Sequence, residues 1–73
     1  MNNDKILERI KKIRNLRGLK QEYMALQIGV TQSSYSKIEN GNQKLTLEVI
    51  EKIANVLNIP ANHLIQKDIQ IIL

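Results

Sequence analysis

Gln32, Ser33, Ser36 and Lys37 fall within a turn and a half of one another if their segment is helical, and each ends in a hydrogen-bonding group. The Gln amide can give and take one hydrogen bond each with adenine N6 and N7. Ser reaches a short way and pairs with several bases, and Lys reaches guanine or a phosphate. The run GVTQSSYSKIEN, residues 29–40, is otherwise an odd helix, because Thr and Ser are middling helix formers. Its apolar residues Tyr35 and Ile38 nevertheless return at helical spacing, so the polar side chains define an outward face. No acidic residue stands on that face, which suits a surface offering donors, acceptors and phosphate charge. An ordinary solvated helix face would carry the same residue types.

The elements that must hold this face follow from periodicity and punctuation. Asp4 is an N-cap candidate, and Ile6, Ile10, Ile13 and Leu16 form the stripe of an amphipathic helix over about 5–17, ended by Gly18, with Leu19 packing in the connection. A short second helix over 21–28 turns Met24, Ala25 and Ile28 inward and stops at Gly29, where positive φ is expected. Thr31 caps a third helix over about 32–39, which closes at Asn40 and Gly41. Thr46 caps a fourth, with Ile50, Ile53, Ala54 and Leu57 buried and Asn58 at its end. Pro60 opens a fifth helix whose Leu64 and Ile65 complete the core. This predicts one all-α domain over 1–66 and a C-terminal tail, 67–73, that frays, packs on the first helix or pairs with a second copy.

Composition narrows the function. The chain has 73 residues, no Cys, no Trp, no Phe and a net charge of +4. The core must be aliphatic, disulfides and cysteine metal sites are excluded, and a reducing cytoplasm is the expected setting. No apolar run is long enough for a membrane span. Residues 1–20 hold seven basic side chains against two acidic, and the remainder four against five, so positive charge gathers at one end. A cluster of this kind attracts nucleic acid, an acidic membrane or an acidic protein. The single histidine, His63, and the scattered carboxylates give no nucleophile, acid–base pair or metal set, so neither an enzyme nor a cofactor is expected.

Two short helices joined by a Gly-containing turn, the second beginning after Thr31, match the helix-turn-helix unit, whose second helix lies in the major groove. The run LKQEYMALQIGVTQSSYSKIENG, 19–41, with LEVIEKIANVLNIP, 47–60, resembles the Cro and phage-repressor type, the xenobiotic-response-element family. The resemblance rests on Gln21, Glu22, Ala25, Gly29, Val30, Ile38, Glu39 and Gly41 at the family's spacing. It implies a lambda-repressor-like bundle of five helices, dimeric binding of double-stranded DNA at inverted repeats and transcriptional control, or the antitoxin half of a toxin–antitoxin pair.

The resemblance also assigns roles. The position of Gln21 caps the second helix and touches a phosphate; that of Gln32 contacts a base, with Ser33, Ser36 and Lys37 beside it and Ser34 supporting the helix start. Thr31, Asn40, Asn42, Gln43 and Lys44 fall where the backbone is contacted, although many relatives carry a basic residue in place of Asn42. Arg14 and Glu39 are expected to form a structural ion pair. Lys20 replaces a common Ser or Thr cap, setting positive charge beside a positive helix end that a phosphate would relieve. Tyr35 is expected in the core with its hydroxyl at the surface, and Arg9, Lys11, Lys12 and Arg17 on a solvated face. The rival reading is a protein partner, such as a toxin, docking on Val49, Val56 and the terminal IQIIL.

Overall fold

The computed structural model describes residues 3–66; the tail at 67–73, with its IQIIL segment, lies outside the described residues. Among the described residues the chain is entirely helical, with α1 Asn3–Leu16, α2 Gln21–Ile28, α3 Gln32–Glu39, α4 Leu47–Leu57 and α5 Asn62–Ile65. α2 packs chiefly on α3 and α4, while α1 lies across α3, α4 and α5. The core joins Ile6, Leu7 and Ile10 of α1 to Met24, Ala25 and Ile28, to Tyr35, to Ile50, Ile53, Ala54 and Leu57, and to Leu64. Each large aliphatic side chain so buried contributes about 1.5 to 3 kcal/mol.

The helix ends show how local chemistry sets the frame. The Thr31 hydroxyl accepts from the Ser34 amide at 3.0 Å and the Thr46 hydroxyl from the Val49 amide at 3.1 Å, each satisfying one free N–H of its helix. Gly29 ends α2 at φ 79°, and Asn58 ends α4 at φ 59°, the left-handed conformation that Gly and Asn adopt most readily. The α2–α3 turn is thereby held to three residues, which fixes the angle between the two helices. Lys20 sits at the N-cap of α2 with no side-chain cap, leaving that helix end open.

Several sequence expectations need correction. Asp4 lies within the first turn of α1 rather than at its cap. Leu16 is 76% exposed instead of buried. The inward row runs from Ile6 and Ile10 to the half-buried Arg14, which takes over the face that Leu16 was expected to extend, and Leu16 points away. Two arginines of the expected solvated face also make bonds: the exposed Arg17 donates to the Leu57 carbonyl at the end of α4, and the half-buried Arg9 donates to the Leu64 carbonyl at 2.8 Å. Each closes a free helix-end carbonyl with a cation, where the helix dipole favours one. The fifth helix begins at Asn62, two residues after Pro60. Val49, Val56 and Ile65 are half-buried against the core, which leaves less apolar surface for a partner than their pattern suggests.

Candidate nucleic-acid interface

α3 separates its residues cleanly by face. Tyr35, Ile38 and Glu39 are buried, while Gln32, Ser33 and Lys37 are exposed and Ser36 is half-buried. At 3.6 residues per turn Gln32 stacks over Ser36 and Ser33 over Lys37, giving two short parallel rows with no carboxylate between them. The loop beyond the helix carries Asn40, Asn42, Gln43 and Lys44, all exposed. Besides backbone bonds from Asn40, Gly41 and Asn42, two side-chain bonds tie it back to α3: Asn40 donates to the Ser36 hydroxyl at 3.4 Å, and the Ser34 hydroxyl donates to Gln43 at 3.3 Å. Ser34 thus receives the Thr31 cap through its amide and anchors the loop through its side chain.

The buried side of α3 is held by an ion pair. Arg14 reaches Glu39 with Nε to Oε2 and Nη2 to Oε1, both at 2.9 Å, and its Nη1 donates to the Leu19 carbonyl at 2.7 Å. Glu39 is 1% exposed. Two further donors complete its shell: Gln21 Nε2 reaches Oε1 at 2.9 Å, and the Tyr35 hydroxyl reaches Oε2 at 2.7 Å. Burial pushes the Glu39 carboxyl up, but hydrogen bonds from Arg14, Gln21 and Tyr35, with the guanidinium charge, outweigh it and hold the group below its ordinary value. Burial, then the bond to Glu39, raise the Tyr35 phenol well above its usual range, with Arg14 opposing.

Two expectations change here. The Tyr35 hydroxyl is not at the surface: Tyr35 is 0% exposed and its oxygen is inside, bonded to Glu39. Gln21 is not the cap of α2 but its first residue, with Lys20 at the cap, and its amide is committed to Glu39. A buried carboxylate demands donors, and Arg14 was the expected one, but nothing in the spacing indicated that Gln21 supplies another. The Tyr35 contact does have a local signal, since Tyr35 and Glu39 stand four apart on one helix face. Among the described residues no group of His, Cys, Asp and Glu is arranged to hold a metal ion, and no helix is long and apolar enough to cross a membrane.

Known proteins decide what this geometry belongs to. The helix-turn-helix family model matches residues 10–64. The chain belongs to the helix-turn-helix family. The helix-turn-helix protein is 34% identical over 59 residues to the SPbeta prophage-derived uncharacterized HTH-type transcriptional regulator YonR of Bacillus subtilis (strain 168), covering 81% of this chain and 55% of that one. It therefore spans about half the length of that relative. It is 39% identical over 56 residues to the uncharacterized HTH-type transcriptional regulator YazB of the same organism, covering 77% and 81%. Its backbone matches the N-terminal DNA binding domain of SinR from Bacillus subtilis with a TM-score of 0.75 at 28% identity, over 92% of this chain and 99% of that domain. The helix-turn-helix protein shares with the SinR domain the backbone architecture that presents α3.

Proposed function

We propose that the protein is a sequence-specific binder of double-stranded DNA that acts as a dimeric repressor, inserting α3 into the major groove. The observation that carries the reading is the division of α3 into an outward arc of Gln, Ser and Lys and an inward arc locked by Tyr35, Ile38 and Glu39. Gln32, Ser33, Ser36 and Lys37 read base edges. Lys20, Gln21, Thr31, Asn40, Asn42, Gln43 and Lys44 hold the phosphates that fix register. The open N-terminus of α2, with Lys20 beside it, supports this assignment, since a phosphate would meet both the free amides and the charge. A homodimer on an inverted repeat would set two α3 helices about 34 Å apart, one turn of duplex. Repression then follows sterically, by occupation of a site that overlaps a promoter.

Titration of the 15N-labelled protein with a mixed-sequence duplex tests the face. Amide shifts concentrated at residues 20–21, 31–37 and 40–44 are expected, whereas shifts confined to α4 and α5 would remove α3 from the interface. A protein partner is the second reading, favoured by Tyr23 and Leu26 on α2, which are 44% and 75% exposed.

A further inference from the structure

We propose that Tyr35 is a positioning residue for DNA binding: its buried hydroxyl fixes the Glu39 carboxylate, which in turn aims the Gln21 amide at the phosphate backbone. The inference rests on the reading of α3 and the α2 N-terminus as the DNA-facing side. The bulk of Tyr35 alone could be supplied by an apolar side chain, and its phenol would then be a buried donor without purpose. Instead the hydroxyl completes a shell in which Oε2 receives Arg14 and Tyr35, and Oε1 receives Arg14 and Gln21. Each carboxylate oxygen thus accepts two hydrogen bonds, and among the described residues no buried side-chain oxygen or nitrogen lacks a partner.

An ionised carboxylate accepts and never donates, so Gln21 must turn Nε2 toward it. That orientation is forced, not chosen from two equal amide settings. One N–H of Gln21 is consumed by Glu39, and its second N–H and carbonyl take no part in that bond, on the first residue of an uncapped helix beside Lys20. A phosphate approaching that helix end therefore meets a donor whose direction is already fixed, which lowers the ordering cost of the contact. Removing the Tyr35 hydroxyl leaves Oε2 short of one donor. Arg14, itself anchored on the Leu19 carbonyl, still grips both oxygens, so the carboxylate stays paired but loses the donor that sets its tilt toward the Gln21 amide.

The experiment compares the full chain with Tyr35→Phe, Gln21→Ala and the double variant, using a fluorescein-labelled mixed-sequence duplex and fluorescence anisotropy well below each melting temperature. Tyr35→Phe is expected to weaken binding about three- to tenfold, the scale of one hydrogen bond. The double variant should be no weaker than Gln21→Ala, because both substitutions remove the same contact. In the free protein, the Gln21 side-chain amide signals should shift in Tyr35→Phe. Unchanged amide signals, or a lowered melting temperature with unchanged affinity while Gln21→Ala still weakens binding, would overturn the positioning role and leave the DNA-facing reading standing. If Gln21→Ala, Lys37→Ala and Lys44→Ala all bind the duplex as wild type does, the DNA-facing reading falls, and the inference with it.

Discussion

Arg14 and Glu39 meet side by side, two hydrogen bonds of 2.9 Å joining a guanidinium that is 11% exposed to a carboxylate that is 1% exposed. The pair ties α1 to the last turn of α3, so the helix assigned to the groove is anchored at its C-terminal end by charge and at its N-terminal end by the Thr31 cap. Such a pair adds little net stability over an apolar substitute, but removing one partner strands the other. Arg14→Ala is expected to cost about 3 to 5 kcal/mol, a large share of the whole stability of so small a domain. Thermal unfolding followed by circular dichroism checks this. An unchanged melting curve accompanied by weakened DNA binding would make Arg14 a DNA contact instead.

The same carboxylate makes stability depend on acid. Its folded value lies below the ordinary 4.5, so its contribution is present above that pH and is lost as pH falls through the folded value. Melting temperatures measured from about pH 6 to pH 3 should fall more steeply for the wild type than for Glu39→Gln, which has no proton to take up there. Parallel curves would mean that Glu39 has no depressed value.

Gly29 occupies the tight turn between α2 and α3 at φ 79°, with nothing within 4 Å of where a Cβ would stand. The effect of Gly29→Ala is therefore conformational and not steric crowding. A destabilisation of about 1 to 2 kcal/mol is expected, readable as a lowered urea midpoint with an unchanged slope. No change in midpoint would show that the turn relaxes out of the left-handed region without cost.

Gln32 and Lys44 separate base reading from charge. Gln32→Ala should cost about 1 to 3 kcal/mol at one base position, while Lys44→Ala should weaken binding on all sequences and lower the salt slope by about one unit. Affinities on specific and random duplexes across a salt series distinguish the two. Equal losses on both duplexes for Gln32→Ala would end its assignment to a base.

Much of this fold was legible because its punctuation is local. Gly29, Thr31, Thr46 and Asn58 act through their own φ angles or over three residues, and α2 and α3 lie at the residues where spacing put them. What was not legible is what depends on tertiary reach. Leu16 read as core because it continued an apolar spacing, yet Arg14 takes the inward face there by extending its long side chain to Glu39, while the exposed Arg17 reaches the Leu57 carbonyl. The residues of the outward α3 face could be named from type and spacing. Tyr35 and Glu39 stand four apart on α3, but that Gln21 joins them needed the crossing of α2 and α3, which no one-dimensional pattern encodes.

Selection of binding sites from a random duplex library, at about physiological salt, tests the central claim most directly. The account predicts an enriched inverted repeat whose half-sites lie about one helical turn apart, as a symmetric pair of α3 helices requires. Background binding that salt abolishes, with no enriched sequence, would contradict it.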